Sequence, residues 1–303
     1  MNGVMYIVLA QVCFAFIGVF TKYIGGAIDS VTLSFFRVLI ASVFLLLIAI
    51  ATGKAKQLSI NRKDFVPFFI LGVMFALNFV CFIAAFNYTT LLEAGLLCAA
   101  LPVFVYFMAA KVLKEKISAG GIMALIALIF GIYIMNFTGL DSSHLLGNIL
   151  VIVSCVFGAG MVTYMRLEDR DHSSMNTTFG AMIFASVLLS PILLWFDFGA
   201  VQLGTYTYVI ILGVVCTGLA YLLVANALKS VEAGKYSILA IIYFAFISIG
   251  LGVGLFGEQI TGSIVVGGLL LMVSALVIHY ENYLLTNIKF IGILEQKINM
   301  MNN

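Results

Sequence analysis

Charged residues are scarce in this chain, and their scarcity excludes an ordinary soluble domain. Asp, Glu, Lys and Arg make up 9% of the 303 residues, whereas hydrophobic residues make up 63%. A surface that faces water needs roughly 25–35% charged residues, so this chain belongs in a lipid bilayer. Because apolar runs of about 20 residues span a bilayer as helices with internally bonded amides, the sequence predicts helices rather than strands.

Cysteine and histidine are few, which excludes several kinds of site. The five cysteines are scattered through apolar stretches, and their odd number fits neither a disulfide framework nor a zinc site; they are Cys13, Cys81, Cys98, Cys155 and Cys216. No HExxH sequence or catalytic aspartate pair accompanies His144, His172 or His279. The sequence therefore predicts no metal, no cofactor and no catalytic residue.

Ten long apolar stretches follow one another along the chain and are numbered here as spans 1 to 10. They are predicted at residues 3–24, 31–52, 65–87, 90–112, 119–137, 145–166, 177–197, 206–229, 231–255 and 263–285. Each is long enough to cross a hydrocarbon core of ~30 Å. The predicted fold class is an all-α integral membrane protein of ten transmembrane helices, with a short tail at residues 286–303.

Basic residues predict the orientation of the chain in the membrane. Near the outer side lie Lys22 and Arg37, whereas the other thirteen basic residues fall on the opposite side: Lys54, Lys56, Arg62, Lys63, Lys111, Lys114, Lys116, Arg166, Arg170, Lys229, Lys235, Lys289 and Lys297. Since loops rich in Lys and Arg stay in the cytoplasm, both termini are expected there. This topology explains the net charge of +2 and gives no indication of nucleic-acid binding.

The ten spans divide five and five around a polar break near residues 138–144. An odd number of spans inverts the second half relative to the first, so residues 1–140 and 141–285 are expected to be two inverted five-helix repeats. Adding about 142 or 143 to a position aligns Lys114-Glu115-Lys116-Ile117 with Gly257-Glu258-Gln259-Ile260. Inverted repeats that enclose a shared central site are typical of secondary transporters.

Several short motifs carry a resemblance to a known family. They are Ser34-Phe35-Phe36-Arg37 with Ala41, Leu101-Pro102-Val103-Phe104 with Lys114-Glu115, Thr217-Gly218-Leu219-Ala220-Tyr221 through Asn226-Ala227-Leu228-Lys229, and Gly257-Glu258 with Gly267. In order and spacing they resemble the drug/metabolite transporter superfamily, in particular its EamA-type members. The resemblance implies carrier-mediated movement of small organic metabolites, commonly amino acids or related compounds, often outward and often coupled to protons or exchange. The sequence departs from the family pattern at Phe14 and near Phe244, where Trp and Pro are usual.

Polar and aromatic side chains repeat at helical spacing on several spans. Intervals of three or four residues place them on one helical face, as for Gln11 and Phe14 in span 1. We expect a substrate pocket between spans 1, 3 and 4 of the first half and spans 6, 8 and 9 of the second. The residues expected to line it are Gln11, Phe14, Asn78, Phe82, Cys98, Tyr106, Tyr221, Tyr236 and Tyr243. Helix contacts through small and polar residues are the alternative.

Two charged residues inside spans are candidates for charge recognition or ion coupling. A guanidinium at the depth of Arg37 costs about 2.5–3.5 kcal/mol on insertion scales. Arg37 therefore either contacts an anion near the outer mouth, or it snorkels to the outer face or positions its helix. Glu93 carries a coupling proton, meets a substrate ammonium, or is a solvated carboxylate at the start of span 4. Glu115 and Glu258 lie in turns and are expected to anchor the helices that follow them.

The remaining predictions concern helix shape and contacts. Pro102 removes an amide donor and frees the carbonyl of Cys98, which predicts a local defect in span 4. Small residues predict close helix contacts at Gly250 and Gly254 in span 9, and at Gly131 and Gly267 in spans 5 and 10. Since spans 5 and 10 carry almost no polar residue before their ends, they are either peripheral or form the contact of a homodimer.

Taken together, these features predict a multi-pass secondary transporter of the cell membrane, most simply a bacterial inner membrane. Its partners are the lipid bilayer and a small-molecule substrate. Aromatic walls with few fixed charges favour a neutral or zwitterionic metabolite, an amino acid or related compound, moved by export or exchange through alternating access. An integral membrane enzyme and a channel are the alternatives, and neither a catalytic cluster nor a filter-like sequence supports them.

Overall fold

The computed structural model describes residues 3–53, 55, 58, 62–113, 117–137, 144–168, 174–228, 231 and 233–280. In these residues ten helices are long and apolar enough to cross a membrane. The uninterrupted ones are span 1 (Gly3–Ile24), span 2 (Ser30–Ala51), span 3 (Phe65–Ala85), span 5 (Ala119–Phe137), span 6 (Leu145–Glu168), span 7 (Ser174–Leu189), span 9 (Ala233–Phe256) and span 10 (Gly262–Tyr280). The predicted all-α membrane fold is confirmed.

Span 4 is interrupted where Pro102 predicts a defect. It runs as an α-helix over Leu91–Leu97, tightens to a 3₁₀ turn over Cys98–Ala100 and continues as an α-helix over Leu101–Leu113. Within the turn, the backbone N–H of Leu101 donates to the carbonyl oxygen of Cys98. The carbonyl that proline leaves without its usual partner is thus bonded again without a water molecule.

Span 8 contains an irregularity that the sequence does not predict. Between its α-helical parts, Leu203–Gly213 and Ala220–Leu228, the residues Val214–Leu219 form a π-helical turn. The hydroxyl of Thr217 donates to the carbonyl oxygen of Leu212 at 2.9 Å, five residues earlier in the chain. Single π turns of this kind are frequent at functional sites.

Side chains and glycines set where several spans begin and end. Asp29 caps span 2, since its carboxylate accepts from the backbone N–H groups of Val31 and Thr32 at 3.0 Å. Gly53 and Gly257 follow the ends of spans 2 and 9 with φ angles of +69° and +64°, a left-handed conformation that glycine adopts without a Cβ clash.

Contacts between the two halves of the chain occur in matched pairs. Span 3 contacts spans 6 and 7, and correspondingly span 8 contacts spans 1 and 2. Span 4 contacts spans 6 and 9, and correspondingly span 9 contacts spans 1 and 4. These contacts are the same when spans 1 to 5 are exchanged, in order, with spans 6 to 10. The two five-span halves therefore make equivalent contacts, and the inversion of one half relative to the other stays a prediction.

Spans 5 and 10 contact each other and turn apolar side chains outward. A Cβ added at Gly131 would lie 2.9 Å from the carbonyl oxygen of Gly267, so the two backbones are close, as predicted. The prediction for Gly250 and Gly254 is wrong, because an added Cβ at either would meet nothing within 4 Å. Exposed side chains on spans 5 and 10 include Ile122, Met123, Ile129, Phe130, Val266, Leu269 and Leu276, which suit lipid or a second subunit equally.

Several predictions fall on residues outside the described part of the chain. They concern the polar break at residues 138–143, the tail at residues 286–303, and Glu115. The basic residues outside it are Lys54, Lys56, Lys114, Lys116, Arg170, Lys229, Lys289 and Lys297. The cytoplasmic location of both termini therefore stays a prediction.

Candidate functional site

A buried guanidinium lies among spans 2, 3 and 8. Arg37 is 2% exposed. Its Nε donates to the hydroxyl oxygen of Thr217 at 2.7 Å, and its guanidinium carbon lies 4.2 Å from the ring centroid of Phe79. The snorkelling alternative is therefore wrong, since the side chain points into the bundle. Its Nη1 is buried without a hydrogen-bond partner in the described part of the protein.

The π turn orients the Thr217 hydroxyl for this contact. A hydroxyl has one proton and two acceptor lone pairs, and Thr217 uses its proton on the carbonyl oxygen of Leu212. The Thr217 oxygen therefore faces Arg37 as an acceptor. Spans 2 and 8 approach closely one turn away, where an added Cβ at Gly213 would lie 2.6 Å from the side chain of Ile40. The bond thus joins the first half of the chain to the second.

Aromatic rings from three spans form a chain of contacts that ends at this cation. Tyr221 of span 8 meets Phe14 of span 1 edge to face, with ring centroids 5.6 Å apart, and lies 6.0 Å from the ring of Phe75 in span 3. Phe75 in turn meets Phe79 at 5.4 Å. Although Tyr221 lies between spans 1 and 3, it is only half-buried. Its ring therefore connects the first half of the chain to the second.

Four of the predicted pocket residues come together here. Gln11 is 5% exposed and hydrogen-bonds the hydroxyl of Tyr236 on span 9. Tyr236 also interacts electrostatically with Tyr221, which contacts Phe14. Spans 1, 8 and 9 thus contribute polar and aromatic groups that lie next to one another. We call Gln11, Phe14, Arg37, Phe75, Phe79, Thr217, Tyr221 and Tyr236 the central cluster.

Two further predicted residues face span 6 instead. The Asn78 side-chain amide donates to the carbonyl oxygen of Ser154 at 2.7 Å, and it lies beside Gly158, where an added Cβ would be 3.0 Å away. The Cys98 thiol is hydrogen-bonded with that of Cys155. These contacts connect spans 3 and 4 to the second half, as the repeat predicts, but they use the polar groups for helix association.

The last three predicted pocket residues do not belong to the central cluster. Tyr106 points toward the start of span 5, where its hydroxyl lies 3.0 Å from the Ser118 hydroxyl and accepts from the Ser118 backbone N–H at 3.1 Å. Phe82 meets Phe86 of its own span at 5.0 Å. Tyr243 is half-buried in span 9. Helical spacing alone did not distinguish these residues from those of the cluster.

Glu93 is the centre of a buried polar network at the start of span 4. It is 6% exposed, so the solvated alternative is wrong. One carboxylate oxygen lies 2.8 Å from Nδ1 of His144, and the other accepts from the Asn148 side-chain amide at 2.6 Å. Asn148 also accepts from Thr89 at 2.5 Å and donates to Asn136 at 2.8 Å. The network joins span 4 to span 6, and hence one half of the chain to the other.

Glu258 makes a second contact between the halves at the same end of span 4. Its two oxygens accept from the backbone N–H groups of Leu91 and Leu92, each at 2.9 Å, and one of them lies 2.9 Å from Nζ of Lys22. The expectation that Glu258 anchors the following helix is wrong, because its carboxylate caps span 4. Negative charge is stabilised there by the amides that the helix itself leaves unpaired.

A cavity of about 160 Å³ lies at the other end of span 4. Spans 3, 4 and 6 line it with Met74, Met108, Lys111, Val112, Gly160, Thr163 and Tyr164. For comparison, an apolar cavity of about 150 Å³ holds benzene. The halves are therefore joined by two carboxylates at one end of span 4, and leave space between them at the other.

Ten apolar helices, whose two five-span halves make equivalent contacts around polar and aromatic side chains, are typical of a polytopic membrane protein of the transporter class. The chain belongs to the EamA-like transporter family, whose model matches residues 1–137 and 145–280. Each matched stretch contains five spans.

Curated relatives include proteins that bear transporter names. The chain is 26% identical over 197 residues to the pseudopaline exporter CntI of Pseudomonas aeruginosa (strain UCBPP-PA14), which covers 65% of this chain and 68% of that protein. It is 26% identical over 275 residues to an uncharacterized transporter of Archaeoglobus fulgidus, covering 91% and 95%. It is 25% identical over 232 residues to the biotin transporter of Escherichia coli (strain K12), covering 75% of each. One solved crystal structure has a TM-score of 0.64 and 15% sequence identity, and the match covers 91% of this chain and 96% of the chain in that structure. This likeness shows a common fold.

Proposed function

We propose that this membrane transporter moves a small neutral or zwitterionic organic metabolite, an amino acid or related compound, by alternating access between its two halves. The observation that carries the proposal is the central cluster, because both halves contribute polar and aromatic groups to one interior surface. Apolar pockets with a few convergent polar groups are the usual form of a small-molecule site. Residues 1–140 and 141–285 are the two inverted repeats in this proposal, and residues 286–303 form a tail.

Alternating access requires contacts that close one end while the other admits substrate. Glu258 and Glu93 hold the start of span 4 against the second half, whereas the cavity beside Lys111 lies at the opposite end. In this proposal both termini are cytoplasmic, so the contacts of Glu258 and Glu93 close the outer end and the cavity lies toward the cytoplasm. Such a state receives substrate from inside, which favours export or exchange.

The names of two relatives support a small organic substrate. The relatives from Pseudomonas aeruginosa and Escherichia coli are named for pseudopaline and for biotin. At 25–26% identity these names support the class of substrate rather than either molecule. We place the protein in a bacterial inner membrane, and a homodimer through spans 5 and 10 is part of the same proposal.

Counterflow in proteoliposomes tests this proposal. Vesicles that contain the purified protein and an unlabelled amino acid should accumulate the labelled compound transiently and with saturation, at the expense of the internal pool. Replacement of Tyr221 by Phe should weaken this flux, while Tyr280→Phe, at a 64% exposed position, should leave it unchanged. Single-channel currents, or a chemically altered product in place of counterflow, would show a pore or an enzyme instead.

A further inference from the structure

We infer that Arg37 anchors the carboxylate of the transported molecule, so that the neutral or zwitterionic substrate is narrowed to a zwitterion that has a free carboxylate and an apolar or aromatic body. This inference rests on the proposed function, because it names the chemical group that the central site recognises. It concerns the Nη1 donor, for which no described residue provides a partner.

Counting the guanidinium donors shows what remains available. Arginine has five N–H groups and no acceptor. The Nε–H is used on Thr217 at 2.7 Å, and Phe79 covers the face of the guanidinium at 4.2 Å. The buried carboxylates of Glu258 and Glu93 contact Lys22 and His144, and neither of them pairs with Arg37.

A buried guanidinium that has no carboxylate partner costs free energy. Charged side chains within spans are rare, usually paired, and mark substrate or ion pathways. One neutral hydroxyl and one aromatic face hold the guanidinium in place but leave its Nη1 edge unsatisfied. A carboxylate matches that edge in charge and geometry, since its two oxygens accept parallel hydrogen bonds from a guanidinium.

The surroundings favour a single carboxylate on an apolar body. Tyr221, which interacts electrostatically with Arg37, is half-buried and offers a phenolic hydroxyl beside the anion. The rings of Phe14, Phe75 and Tyr221 provide apolar and aromatic contact area. A phosphate dianion would require a second cation, and Lys22 is already paired with Glu258 at 2.9 Å.

Matched ligand pairs test the inference on the purified wild-type protein in detergent. Each pair consists of a carboxylate and its carboxamide, such as 3-phenylpropionate with 3-phenylpropanamide, and the panel includes alkyl, aryl and α-amino acid bodies. Stabilisation against heat measures binding, since a ligand of the folded state raises its apparent stability. At least one carboxylate should bind on the order of 10- to 100-fold more tightly than its amide. Equal binding within every pair would overturn the inference.

Variants assign the preference to Arg37. Arg37→Gln should abolish the preference for carboxylate over amide, and Arg37→Lys should reduce it, because lysine keeps the charge without the planar donor edge. Tyr280→Phe, at the 64% exposed position, should leave the preference in place. If Arg37→Gln does not fold, Arg37→Lys decides, and an unchanged preference in whichever variant is measured contradicts the inference. Saturable flux of amides with no effect of Arg37 would leave the proposed function intact, whereas no flux of any compound would count against the function itself.

Discussion

Replacement of Glu258 by Gln should open the end of the protein where span 4 begins. The carboxylate accepts two backbone hydrogen bonds at 2.9 Å and pairs with Lys22, and Glu258 and Lys22 side chains are 7% and 21% exposed. Glutamine has one acceptor oxygen in place of two and no charge. Hydrogen bonds to charged groups contribute about 1.5–3 kcal/mol each, while a partly exposed ion pair adds less than about 1 kcal/mol.

The substitution should therefore destabilise the closed end by about 2–3 kcal/mol. Since 1.36 kcal/mol corresponds to a factor of ten, the population open at this end should rise roughly 30- to 150-fold. A cysteine in place of Phe14, in a protein without the five native cysteines, reports this opening. Its rate of labelling by a membrane-impermeant maleimide, applied from the side on which span 4 begins, should rise by about that factor.

Lys22→Met is the matched control. It removes the ion pair but leaves both backbone bonds of Glu258 in place, so labelling should rise less than about fivefold. An unchanged rate in Glu258→Gln, or a larger effect of Lys22→Met than of Glu258→Gln, would refute the assignment of Glu258 as the closing contact.

Other predictions follow from the remaining contacts. Glu93→Gln should abolish flux driven by a pH gradient while preserving exchange at equal pH, because an amide next to His144 cannot take up and release a proton as a carboxylate can. Equal loss of both activities would show a structural role. Gly267→Ala should lower the free energy of unfolding by about 1–3 kcal/mol, measured by thermal denaturation, since the added methyl group would lie 2.7 Å from the carbonyl oxygen of Gly131. Single cysteines at Ala55 and Leu203, both exposed, should be labelled from the cytoplasm and from outside, respectively; labelling of both from one side would contradict the topology.

Hydropathy predicts the number and positions of the spans because it depends only on local composition. The membrane requires every backbone group to be bonded within its own helix, so a run of apolar residues has one viable structure. The defect at Pro102 is equally local, since a missing amide disturbs the turn that contains it. The interior of span 8 is less regular, but its π turn at Val214–Leu219 leaves no mark in the hydropathy pattern.

Helical spacing could not identify which polar face meets which neighbour. Gln11 and Tyr106 both lie on polar or aromatic stripes, yet one hydrogen-bonds Tyr236 across the bundle and the other bonds Ser118 at a helix start. Similarly, Glu258 caps a helix 166 residues earlier in the chain. Such contacts depend on how the spans assemble, which one sequence without its structure does not reveal.

The bond between Arg37 and Thr217 bears on how binding can drive movement in the proposed cycle. A ligand shifts a conformational equilibrium only by its difference in affinity between the two states. Arg37 belongs to the first half and Thr217 to the second, so rocking of one half against the other changes the distance from Nε to its acceptor. When that bond lengthens, the guanidinium gains a free donor and its affinity for a carboxylate changes. A group held entirely within one half would keep the same surroundings in both states and could not provide this coupling.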